Sequence, residues 1–197
     1  MAPATVVAGM FVLMNFLRID RMDLVGWHPS GFITTDHVGA HIAQRHADQH
    51  VRYAAAIAAG HISQERVDHP AEIDLFGRLI AARRLGVGEC SAVAVALNRG
   101  YGLAINEPRA VNRALRDAGL SVPGDLALVA FDDFEWSDLF SPRLTAVAQP
   151  EREMASTAVS LLLDRMADPE SETRQIRLTP TLNHRDSCGC DDSSVPL

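Results

Sequence analysis

The chain has 197 residues, 47% of them hydrophobic, with 18 basic against 25 acidic side chains and a formal net charge of −7. That apolar content supports a packed core and excludes a disordered polyelectrolyte; the acidic balance excludes a surface that attracts nucleic acid over its whole extent. Three cysteines, Cys90, Cys188 and Cys190, are too few for a disulfide framework and fit a reducing, cytoplasmic setting.

In chain order, residues 5–8 (TVVA) read as a buried strand leading into an apolar helix near 11–17. The apolar start has no basic flank or small-residue cleavage site, so it is not read as a signal peptide, and it is too short to span a bilayer. GFITT (31–35) is a second strand, after which Asp36 is expected to cap one long helix over about 37–59, closed by Gly60. HPAEIDLFGRLIAARRLG is a helix with Pro70 in its first turn and Gly86 as its stop. An alanine-rich helix ends at Gly100, YGLAI (101–105) is a short strand, and PRAVNRALRDAG is a helix from Pro108 to Gly119. DLALVAF (125–131) and LTAVAQ (144–149) are strands. The segment 151–168 carries Met154, Ala158, Leu161, Leu162 and Met166 close to helical period. RQIRLTP and TLNHRD alternate like strands, and the tail from Ser187 is polar. Helices alternating with short apolar strands give an α/β fold with a mainly parallel sheet and flanking helices.

The strand at 125–131 stops on Asp132 and Asp133. Open α/β sheets bind ligands beyond the carboxyl ends of their strands, and a carboxylate there must be solvated or paired. Asp133 reads as a turn-capping, structural residue; Asp132 is the candidate contact.

From Ala114 to Gly189, ALRDAGLSVPGDLALVAFDD, SPRLTAVAQP, EMASTAVSLLLDRM and LNHRDSCG together resemble the end of the sensor domain of LacI/GalR-type transcription regulators, which is periplasmic-binding-protein-like. The resemblance implies a small-molecule effector, a sugar or nucleobase, held by Asp132, with Phe134 or Trp136 as the aromatic of the pocket. It also implies an Asn-Asp pair before ALRDAGL; this chain has Ala104 and Ile105 there, so half of the pocket is expected to be missing. No helix-turn-helix pattern occurs in residues 1–60, so specific DNA binding by this chain is not expected.

Residues 5–115 resemble a different family, the PIN-like nucleases, through VVAGMFVLMNFLRIDRMDLV, GFITTDHVGAHI and RRLGVGECSAVAVALNRGYGLAINEPRA. That resemblance implies a carboxylate cluster for Mg²⁺ or Mn²⁺. At its positions stand Gly9, His41 and Asn106, leaving Glu89 and Glu107 as weak metal candidates and Asp36 as a stray.

The sequence therefore predicts a composite, with a PIN-like segment over 1–115, a LacI-type sensor segment over 116–189 and a loose tail over 190–197. The leading expectation is a transcription-regulator-like protein that binds an effector. The alternatives are a degenerate, inactive PIN-like ribonuclease and a dimerising interaction module. No catalytic residue, cofactor or membrane partner is expected; a homodimer is the protein partner that fits. His37, His41, His46 and His50 read as a solvated face, because the step from His41 to His46 turns about 140° around a helix.

Overall fold

The computed structural model describes residues 5–106, 108–134 and 137–189. The first sheet is wholly parallel, in the order β3-β2-β1-β4, with β1 at Thr5–Ala8, β2 at Gly31–Thr35, β3 at Ser63–Glu65 and β4 at Gly102–Ala104. Six helices serve it: α1 (Met10–Arg18), α2 (Asp23–Gly26), α3 (Asp36–Arg45), α4 (Ala47–Ala58), α5 (Pro70–Ala82) and α6 (Val87–Arg99). Then α7 (Pro108–Asp117) leads to a second sheet, in which β5 (Val129–Phe131) is parallel to β6 (Thr145–Ala148), and β7 (Thr181–Asn183) is antiparallel to β6. Between β6 and β7 runs α8 (Glu151–Ala167). The fold is α/β with a mainly parallel arrangement of strands and flanking helices.

The local chemistry explains most boundaries, and several expectations need correction. The expected helix over 37–59 is two helices. His46 leaves helical geometry (φ −140°, ψ 67°) without a Gly or Pro to mark the break. Both pieces lay apolar side chains on α1: Val38 and Ile42 from α3 and Tyr53 and Ala56 from α4 share one cluster with Leu13 and Leu17. The cap of α3 is Thr35, whose hydroxyl accepts from Val38 N–H at 3.4 Å; Asp36 is the first helical residue and its carboxylate accepts from His37 N–H at 2.9 Å. The strands expected over 125–131 and 144–149 are shorter, and RQIRLTP forms no strand. After β7, Ser187 stitches the end of the described chain to the sheet. Its hydroxyl donates to Leu128 C=O at 2.7 Å and accepts from Thr145 N–H at 2.8 Å.

The two sheets share one apolar cluster. It runs from Val7 and Ile33 through Val93 and Leu103 to Val111, Leu115, Leu128 and Leu144. Helix α7 is the centre of the join, with Val111, Ala114 and Leu115 buried. The sequence boundary at 115/116 thus falls inside a helix that is buried on one face. Helix α8 is the exception to burial: its periodic apolar stripe forms as expected, yet it buries no residue.

Candidate functional site

Residues Asp132 and Asp133 follow β5 and face different surroundings. Backbone ladder bonding continues one step past the strand, with Asp132 N–H donating to Val147 C=O at 3.0 Å. Asp132 then takes a left-handed conformation (φ +69°), which Asp tolerates better than most side chains. That turn sends the two neighbouring carboxylates different ways.

Asp133 turns into the fold. Arg185 grips it with two N–H bonds, of 3.0 and 2.9 Å, and Asn183 adds a third at 2.6 Å. Its other duty is local: Oδ1 accepts from Phe134 N–H at 3.0 Å. The pair is only 12% exposed on each side. The Arg185 guanidinium holds the Asp133 carboxyl well below the usual carboxylate range, and Asp133 in turn raises Arg185. This is the structural role expected of Asp133.

Asp132 stays exposed, and its carboxylate accepts from the side-chain amide of Gln149 at the end of β6. It lines a cavity of about 380 Å³ together with Asn106, Pro108, Arg109, Ala110, Phe131 and Phe134. The cavity lies where the carboxyl ends of β4 and β5 meet the first turn of α7, whose unpaired N–H groups favour negative charge. The guanidinium of Arg109 lies 3.9 Å from the centre of the Phe134 ring and 5.2 Å from that of Phe140, and the two rings meet edge to face at 5.9 Å. Phe134 is partly buried against the core. It serves as the floor on which Arg109 is laid, so one of its faces is already occupied. Trp136 lies outside the described residues.

A carboxylate, a guanidinium and the Asn106 amide around one small cavity supply acceptors and donors for hydroxyl, amino or carbonyl groups. Sequence reasoning missed Arg109, Asn106 and Gln149. Asn106 directly follows the Ala104-Ile105 pair. Ile105 is buried at 4% exposure, and the next residue carries the polar group to the cavity. Arg109 gave no local signal, because its ring partner is 25 positions later.

The metal candidates are not drawn together. Gly9 donates its N–H to Ala104 C=O at 2.9 Å, and a β-carbon there would lie 3.4 Å from that oxygen. Glu89 sits in the first turn of α6, 7% exposed, and α6 carries no side-chain cap bond. Glu107 lies outside the described residues. The break at His46 stacks its ring on His41 at 6.5 Å, but among the described residues no group of three or more His, Cys, Asp or Glu side chains is placed to hold a metal ion.

Comparison with known proteins bears on the second half of the chain. Residues 103–188 match the family model of the periplasmic binding protein-like domain. The HTH-type transcriptional repressor PurR of Aliivibrio fischeri (strain MJ11) is 38% identical over 73 residues, 37% of this chain and 22% of the relative. The ribose operon repressor of Escherichia coli (strain K12) is 36% identical over 77 residues, 39% of this chain and 23% of the relative. A solved LacI family transcriptional regulator from Enterococcus faecium, with bound ribose, aligns with 80% of this chain and 65% of its own at 20% identity and a TM-score of 0.43. The chain thus spans less than a quarter of the length of those two curated relatives. The resemblance of the second segment to LacI-type sensors stands on the family and sequence matches. The family match begins at residue 103 and lends nothing to a PIN-like reading of residues 5–102. Among the described residues no helix is long and apolar enough to cross a membrane.

Proposed function

We propose that residues 116–189, completed by the α7 turn at Asn106–Arg109, form a partial sensor that binds a small polar effector, a sugar or nucleobase, in a cytoplasmic, transcription-regulator-like protein. The observation that carries the reading is the split of the aspartate pair. Asp133 is locked by Arg185, while Asp132 faces a cavity opposite Arg109. A charge-assisted bond to Asp132 is worth about 1.5–3 kcal/mol; with few other polar groups, binding in the millimolar range is expected. The test is ligand-dependent melting with ribose and with hypoxanthine or guanine. Either ligand raises the melting temperature by mass action, and Asp132→Gly, which suits φ +69°, removes the shift. A shift that survives Asp132→Gly sinks the assignment.

With net charge −7 and no helix-turn-helix pattern read in residues 1–60, no specific operator binding by the chain itself is expected; a sequence-selective, salt-sensitive complex at nanomolar protein would refute this. A second copy of the chain is the protein partner. A PIN-like, catalytically inactive first segment is the second reading, favoured by the parallel sheet that sets Gly9, Asp36 and Asn106 just beyond the carboxyl ends of its strands. Chelator-sensitive RNA cleavage lost in Glu89→Ala would overturn the inactivity.

A further inference from the structure

The cavity beyond β4 and β5 carries two opposite charges on its walls, Asp132 and Arg109. Among the described residues they form no ion pair with each other, and Arg109 pairs with no carboxylate. An exposed arginine is ordinarily a mobile, solvated charge, and ordering its long side chain costs entropy. Arg109 is already ordered. Its guanidinium lies 3.9 Å from the centre of the Phe134 ring and 5.2 Å from that of Phe140. Those rings brace each other edge to face and pack against the core. A guanidinium laid over a ring gains from the π face without using an N–H bond, so its fork of donors stays available. Asp132 is fixed as well, by its φ of +69° and by the Gln149 amide that bonds to it.

The structure therefore holds one cation and one anion in place across a cavity of about 380 Å³. That volume is near the lower end for ligand sites and suits a molecule the size of a monosaccharide. We propose that the effector is an acidic sugar, whose carboxylate or phosphate sits on Arg109 while its hydroxyls donate to Asp132 and meet the Asn106 amide. This rests on the effector-binding reading above and narrows it, because neutral sugars and nucleobases become the weaker ligands.

A neutral sugar makes its bonds to Arg109 with uncharged hydroxyl oxygens. A carboxylate or phosphate matches the guanidinium fork with two parallel bonds, each about twice as strong as a neutral one. The first turn of α7, from which Arg109 projects, favours the same sign of charge. Asp132 sets the direction. A ligand turned end for end would bring its anion against that carboxylate and lose the hydroxyl donors that Asp132 accepts. The acidic group and the hydroxyls must therefore lie at opposite ends of the ligand, as they do in a uronate or a sugar phosphate.

The test follows melting of the full chain against ribose, ribose 5-phosphate, glucose and glucuronate at fixed ionic strength, with inorganic phosphate and acetate as controls. Each acidic sugar is expected to give the same shift as its neutral counterpart at about one tenth of the concentration. Arg109→Met keeps an apolar stem over Phe134 and removes the charge. Arg109 is exposed, so folding is expected to survive and is checked by circular dichroism. This variant is expected to bring the acidic sugars to the level of the neutral ones, whereas Asp132→Gly removes the response to all four. A response to only one of the two acidic sugars would support the proposal and identify the anion as phosphate or carboxylate. Three results would overturn it: equal potency of acidic and neutral sugars, an acidic advantage that survives Arg109→Met, or a shift with inorganic phosphate equal to that with ribose 5-phosphate, which would mean an adventitious ion only. Equal potency that still depends on Asp132 would leave the effector site standing and remove only the acidic class. No shift with any of the four sugars would remove both.

Discussion

Replacing Arg185 by Met tests the claim that Asp133 is structural and Asp132 is not. The substitution removes two N–H bonds to Asp133 and one, of 2.7 Å, to Leu144 C=O. The bond to Asp138 adds little, because that carboxylate is 62% exposed. Asp133 would keep Asn183, the Ser137 hydroxyl and Phe134 N–H as donors but would stay a charge at 12% exposure without its cation. Breaking a buried pair costs about 3–5 kcal/mol; the surviving donors place the expected loss near the lower end, about 3 kcal/mol. At this chain length each kcal/mol moves the midpoint by about 2–4 °C, so the melting temperature is expected to fall by about 9 °C. The control is Arg78→Met. Its i,i+4 pair with Asp74 is 52% and 71% exposed, and the expected cost of losing that pair is about 0.5 kcal/mol. Adding Asp133→Asn to Arg185→Met is expected to recover part of the loss, because it removes the stranded charge. Scanning calorimetry at neutral pH reads all four proteins. If Arg185→Met shifts the midpoint no more than Arg78→Met, the buried-pair reasoning is wrong.

Acid sensitivity follows from the same groups. Asp133 and Glu72 are both held below the ordinary carboxylate range, chiefly by Arg185 and by Arg99 respectively. A depressed folded value means stability that is fully present above about pH 4 and lost as pH falls through the folded value. Urea midpoints are expected to drop between pH 5 and pH 3, and to drop less in Asp133→Asn. Glu72 is 1% exposed and bonded to Arg99 at 2.6 Å, so Arg99→Met is expected to cost about 3 kcal/mol; a loss below about 1 kcal/mol would show that water reaches the pair. Leu115 is fully buried in the cluster that joins both sheets. Leu115→Ala is expected to cost about 2–5 kcal/mol and to lower one cooperative transition; two separate calorimetric transitions, only one of them shifted, would show that the sheets fold independently.

The apolar runs at 5–8, 31–35 and 144–149, and the Pro and Gly signals around α5, α6 and α7, settled the α/β plan and the order of its elements, because hydrophobic period and turn chemistry act over a few residues. The same local reading set two aspartates at the end of a strand and expected the second to be structural. Tertiary structure decided what each faces. Arg185 reaches Asp133 from 52 positions away, Arg109 reaches the Phe134 ring from 25 positions before it, and Gln149 reaches Asp132 across β6. The break at His46 came from packing two pieces on α1, with no residue there to announce it. Helix α8 shows the limit most plainly. Its period fixed that it is a helix, while burial depends on a surface elsewhere, and none of its residues is buried. Period is a property of neighbours along the chain; burial is a property of neighbours in space.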